Sequence, residues 1–88
     1  MKMTQTEMNV AMTLLLRHID ENNESKANRK TYHAYTTRDY FEFDEAGWEV
    51  FLDKCVITKD GKPMYKIRRK WSAGMRRELK PTLEYIGE

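Results

Sequence analysis

The sequence has one cysteine, few histidines and no long apolar run, and each scarcity excludes a class of protein. Cys55 alone allows no internal disulfide and no zinc site built on cysteines, which favours a reducing compartment. No apolar run exceeds three residues, as in Leu14 to Leu16, and the chain does not begin with an apolar signal segment. We therefore expect a cytoplasmic protein with no membrane partner.

The residues needed for metal, cofactor or catalytic chemistry are also sparse. His18 and His33 are separated by a predicted loop, with no acid or thiol at ligand spacing around either. The four glycines are isolated, so no phosphate-binding loop is present. The carboxylates of residues 41–53 have the pattern of a solvated helix face rather than an acid/base pair. We expect no metal, no cofactor and no catalytic residue, hence not an enzyme.

What the chain does have is the composition of one small folded domain, residues 1–88. It is 40% hydrophobic, 11% aromatic and 34% charged. A chain of this length buries only about 60–65% of the surface that its unfolded form exposes, so its stability margin is small.

The strongest local pattern predicts a long N-terminal helix. Thr4 and Glu7 have the spacing of a capping box, and Met3 and Met8 that of a hydrophobic staple. Apolar residues then recur at spacings of three and four, which is typical of a helix with one buried stripe: Met8, Ala11, Met12, Leu15, Leu16 and Ile19. The helix is predicted to end near Asn22 and Asn23.

The middle of the chain predicts a loop, a strand and a second helix. Residues 23–30 are polar and unpatterned, and 31–37 are rich in β-forming residues, although Thr37 could instead cap a turn through Tyr40. Asp44 is the predicted cap of a helix from Glu45 to Lys54, with Gly47 as its weak point. Its inward face would hold Trp48, Phe51, Leu52 and Cys55, which makes Cys55 a buried structural thiol.

A β-hairpin is predicted next, with its turn at Lys59-Asp60-Gly61. A three-residue loop that pairs Thr58 with Lys62 gives the clearest separation of apolar and basic side chains onto opposite faces of the hairpin. In that register Cys55, Ile57, Tyr65 and Ile67 point one way. The opposite face is basic and holds Val56, Thr58, Lys62, Met64, Lys66, Arg68 and Lys70.

After Trp71, two interpretations of the chain remain. In the preferred one Ser72 caps a short helix with Met75 and Leu79 inside, stopped by Pro81. In the other, Ser72-Ala73-Gly74 is a turn between two strands.

The fold class predicted is thus α+β: a long helix, a second short helix and a hairpin with a basic outer face. This order resembles a winged-helix domain. In such a domain the helix before the wing enters the DNA groove, but the acidic helix predicted at 45–54 would be repelled by phosphates.

Charge is strongly segregated along the chain. Residues 41–53 contain five acids and no base, whereas residues 54–80 contain ten Lys and Arg against Asp60 and Glu78. The candidate nucleic-acid-binding residues are Lys62, Lys66, Arg68, Arg69, Lys70, Arg76, Arg77 and Lys80. Arg69 belongs to this set because its long stem can reach outward near the strand end. Tyr65 and Trp71 lie among these cations, as stacking aromatics do, although Tyr65 points inward in the preferred register.

The predicted function is a nonenzymatic nucleic-acid-binding protein, with RNA or single-stranded DNA favoured over duplex DNA. The alternative is a protein-interaction module, such as a phage-type inhibitor or antitoxin-like protein, that uses the basic hairpin or the acidic helix at 41–53 against a host protein. Its partner would be an acidic protein surface in the first case, and a homodimer is a further possibility. A third is a ribonuclease, since Tyr65-Lys66-Ile67-Arg68 on a strand faintly resembles the RelE-type toxins.

Overall fold

The computed structural model describes residues 1–22, 36–75 and 77–87, and it confirms an α+β fold. Two helices precede four antiparallel strands, which pair in chain order to form one sheet. The elements are α1 (Gln5–Asn22), α2 (Thr37–Glu45), β1 (Trp48–Phe51), β2 (Val56–Lys59), β3 (Lys62–Trp71), a 3₁₀ turn (Ala73–Met75) and β4 (Glu78–Tyr85).

Helix α1 begins and packs as its sequence predicts. The Thr4 amide donates to Glu7 Oε1 at 2.8 Å, and the Glu7 amide donates to Thr4 Oγ1 at 3.1 Å, which completes the capping box. Along the helix, the predicted stripe is buried from Ala11 onward, with Leu15, Leu16 and Ile19 all 0% exposed, and Met8 at its start is half-buried. The predicted first helix is therefore confirmed.

The predicted helix from Glu45 to Lys54 is wrong. Helix α2 lies earlier, capped by Thr36 with Asp39 in a capping box, and Asp44 lies in its last turn. It ends before Gly47, whose φ of 91° is left-handed, and a Cβ there would overlap the Asp60 carboxylate. Beyond this glycine, residues 48–51 alternate between the two faces of a strand.

The predicted loop at 23–30 and most of the predicted strand at 31–37 lie outside the described residues. The last two residues of that stretch, Thr36 and Thr37, cap and begin α2. The alternative turn from Thr37 to Tyr40 was the better prediction.

The hairpin is confirmed, but its predicted register is wrong. Lys59 pairs with Lys62, so the loop is the two residues Asp60 and Gly61, with φ of 51° and 82°. Positive φ at both positions is what a type I′ turn requires. A bulge at Met64 then adds one residue to β3, so that Ile57 pairs with Tyr65.

The bulge explains why the face assignment survives the register error. The shorter turn and the extra residue offset each other, and Ile57, Tyr65 and Ile67 all point into the core as predicted. Thr58 pairs with Glu49 on the side away from the core, as predicted, although it is buried there. Cys55, predicted to be buried, is half-buried in the turn before β2.

The preferred C-terminal helix is also wrong, and the alternative is right. A turn does join two strands here, but it is the 3₁₀ turn Ala73–Met75 between β3 and β4, with Gly74 at a φ of 78°. Pro81 lies within β4, an edge strand, where its missing N–H group is tolerated.

Both described helices pack on one face of the sheet. Trp48 joins the layers, because its Nε1 donates to Glu7 Oε2 at 2.9 Å and its ring lies 6.5 Å from that of Phe43 on α2. The Tyr65 hydroxyl accepts a hydrogen bond from the Met3 amide at 2.9 Å. The core therefore lies between the helices and one side of the sheet, and neither described helix covers the other side.

The winged-helix resemblance does not hold for the described residues. It depended on a helix at 45–54 immediately before the hairpin, and β1 occupies the middle of that stretch as a strand of the same sheet.

Candidate nucleic-acid interface

The side of the sheet that faces away from the helices is here called the open face. Successive side chains of a strand alternate between faces, so the neighbours of the core residues Ile57 and Ile67 point outward. The register then assigns the open face the following residues: Glu49, Phe51, Val56, Thr58, Lys66, Arg68, Lys70, Leu79, Thr82 and Glu84.

A row of cations runs along the open face on β3. Lys66, Arg68 and Lys70 are exposed and occupy alternate positions of the strand. Their Cα atoms are separated by about 6.6–6.8 Å, twice the rise per strand residue. This separation is of the same order as that between successive phosphates in an extended single strand.

Arg68 shares the row with one acid from β4. Its Nη2 donates to both carboxylate oxygens of Glu84, at 3.0 and 2.9 Å. Both side chains are about half exposed, so the pair adds little stability and leaves the guanidinium at the surface. Within the described part of the chain, Lys66 and Lys70 make no ion pair.

Arg69 lies on the helix side and not with its neighbours. Its guanidinium donates to both oxygens of Glu78, at 2.6 and 2.7 Å, and stands 5.1 Å from the Trp71 ring. The hydrogen bonds to Glu78 raise the pKa of Arg69 above its ordinary value, although partial burial opposes the rise. The expected outward reach of Arg69 is therefore not found.

The remaining predicted cations are dispersed. Lys62 pairs with Lys59, which pairs with Trp48, so the register places Lys62 on the helix side of the sheet. Lys80 is exposed beside the bulge of β4, and Arg77 is partly buried. Arg76 lies outside the described residues. Of the predicted set, the structure brings Lys66, Arg68 and Lys70 together.

The predicted stacking aromatics are not on the open face. Tyr65 is in the core, and Trp71, although 43% exposed, pairs with Glu78 on the helix side. Phe51 takes their place: it is half-buried on β1, in register with Val56 and Lys66.

The sequence did not indicate Phe51 as a site residue, because the pattern from Glu45 to Lys54 predicts a helix with Phe51 on its inward face. The alternation of core and solvent residues in Trp48-Glu49-Val50-Phe51, directly after Gly47, is the signal that would have revealed a strand. The Lys54 ammonium stands 5.2 Å from the Phe51 ring, so this aromatic already holds one cation.

Comparison with known proteins gives no relative. No family model, no curated protein and no solved structure matches this chain. Across residues 1–22, 36–75 and 77–87, no group of three or more His, Cys, Asp or Glu side chains is arranged to hold a metal ion. None of the helices in this part of the chain is both long and apolar enough to cross a membrane.

Proposed function

We propose that this protein binds single-stranded nucleic acid, RNA or DNA, on the open face of its sheet. The observation that carries the proposal is the row Lys66, Arg68 and Lys70 on a sheet surface that neither described helix covers, with Phe51 two strands away. The charged groups would hold phosphates, and the ring would stack on a base.

The shape of this surface favours a single strand over a duplex. A sheet presents a broad, shallow face on which splayed bases can lie, and the bases of a duplex are not accessible in that way. Neither described helix offers a basic surface for a DNA groove, because α2 carries four acids against Arg38. Contacts made mainly to phosphates imply weak preference for sequence.

Fluorescence anisotropy of labelled oligouridylate and oligothymidylate, measured against potassium chloride concentration, tests the proposal. We expect the logarithm of the association constant to fall with the logarithm of salt concentration with a slope of about −2. Each of the three phosphate contacts on a single strand contributes about −0.7 to that slope. A labelled duplex of the same length should bind more weakly.

A matched pair of variants locates the site. Lys70→Gln removes a charge from the open face, whereas Lys2→Gln removes one on the helix side, where Lys2 Nζ stands 5.2 Å from the Tyr85 ring. Lys70→Gln should reduce the salt slope by about 0.7, and Lys2→Gln should leave it unchanged. Equal effects of the two variants would refute the open face as the site.

The proposed activity is binding without cleavage. RNA recovered after incubation should therefore be intact on a denaturing gel. Specific cleavage products would instead favour the ribonuclease interpretation.

A further inference from the structure

A groove lies on the helix layer where α1, α2 and β1 meet. Its volume is about 310 Å³, and its walls combine apolar side chains with a carboxylate and an imidazole. Leu14 of α1, Tyr40 of α2 and Val50 of β1 supply apolar surface, Asp44 supplies the carboxylate and His18 the imidazole. Glu49 borders the groove from β1, although the strand directs its side chain to the open face. This groove is separate from the row of cations on β3.

The surface around the groove is acidic and exposes two aromatic rings. Tyr40 is 42% exposed and Phe41 is 59% exposed, both on α2. Arg38, the only base of α2, is paired with Glu42 at 3.0 Å. Asp44, Glu45 and Glu49 are exposed and, among the described residues, form no ion pair. Arg17 lies beyond Tyr40, at the α1 side of the same region.

We propose that this groove docks a basic segment of a partner protein, with an arginine as its anchoring side chain. An arginine matches the groove in three respects. Its planar guanidinium can stack on Tyr40 and pair with the Asp44 carboxylate. Its aliphatic stem can cover Leu14 and Val50.

Charge complementarity decides between the possible occupants. Nucleic acid is repelled by the acids of α2, whereas a basic segment is attracted by them. This inference does not depend on the proposed nucleic-acid site, and either can fail while the other stands.

The test uses the whole chain, labelled with ¹⁵N, and a short synthetic peptide of alternating arginine and leucine. Amide shifts should move at Leu14, Tyr40, Asp44 and Val50 as peptide is added. The same peptide with glutamate in place of arginine should cause no shifts, and one with lysine should bind more weakly because it lacks the planar group.

Asp44→Asn and Asp53→Asn form a matched pair of charge-removing variants. Asp53 is also exposed but lies in the turn between β1 and β2. Asp44→Asn should raise the Kd for the arginine peptide about two- to fivefold at low salt, which is the range for one exposed ion pair, and Asp53→Asn should not. Folding is not at risk, since an acid in the last turn of a helix opposes its dipole.

Three results would overturn the proposal. They are the absence of shifts at the groove, equal binding of the lysine and arginine peptides, and equal Kd values for the two variants.

Discussion

Arg69 and Glu78 form a two-point hydrogen-bonded ion pair between β3 and β4, with donor–acceptor distances of 2.6 and 2.7 Å. The Glu78 side chain is 3% exposed and that of Arg69 is 24% exposed. The pair divides the cations of β3 between the two faces of the sheet. Arg69 lies on the helix side of the sheet, and its neighbours Arg68 and Lys70 lie on the open face.

Arg69→Gln should destabilise the fold far more than Arg68→Gln. The first substitution breaks a two-point ion pair whose carboxylate is 3% exposed, and breaking such a buried pair costs about 3 kcal/mol or more. The second removes an exposed pair with Glu84, worth about 0–1 kcal/mol. Urea unfolding of both variants measures the difference, and equal free energies of unfolding would show that the Arg69 pair is not structural.

Leu15→Ala should lower the free energy of unfolding by about 2–5 kcal/mol, because a fully buried leucine leaves a cavity as well as losing its transfer energy. Leu15 is 0% exposed, whereas its neighbour Leu14 is only partly buried and serves as the control. Thermal melts of both variants give the comparison. A Leu15→Ala protein that melts with the parent would contradict the position of α1 in the core.

Gly47→Ala should destabilise the protein more than Gly61→Ala. Both glycines have positive φ, 91° and 82°, so each substitution costs about 1–3 kcal/mol in backbone strain. At Gly47 the new methyl group also meets the Asp60 side chain, whereas nothing lies within 4 Å of the corresponding position at Gly61. The denaturant midpoints of the two variants measure this difference. A lower midpoint for Gly61→Ala than for Gly47→Ala would argue against the observed junction between α2 and β1.

Phe51→Ala should weaken binding of oligouridylate by about 1–3 kcal/mol, the value of one base stacked on an aromatic ring. Phe41→Ala is the matched control, since Phe41 is an exposed phenylalanine on α2, away from the open face. The affinities are compared by anisotropy after melts confirm that both variants fold. A larger loss of affinity from Phe41→Ala would place the nucleic acid on the helix layer and would contradict the open face as the binding site.

The elements that sequence predicted correctly are those with local signals. The capping box of Thr4 and Glu7, the stripe through Leu15 and the Asp60-Gly61 turn each fix structure within a few residues. Strand β4 has no such signal and β1 has only a four-residue alternation after Gly47, because both strands are organised by pairing with their neighbours β3 and β2.

In the candidate site, too, the residues that the sequence predicted correctly depend on local patterns, and those that it did not depend on strand pairing. Alternation within β3 predicted that Lys66, Arg68 and Lys70 share a face. The partner of Arg69 is nine residues away across a turn that was assigned to a helix, and Phe51 reaches the open face only through the pairing of β1 with β2. Contacts of this kind depend on sheet register, which a short sequence pattern does not determine.

The most direct test of the central claim is an NMR titration of the ¹⁵N-labelled chain with oligouridylate at low salt. Binding on the open face should shift the amides of Phe51, Val56, Lys66, Arg68, Lys70 and Thr82, and leave those of Leu14 and Tyr40 unmoved. Shifts confined to the helix layer, or none at any concentration of oligouridylate or oligothymidylate, would contradict it.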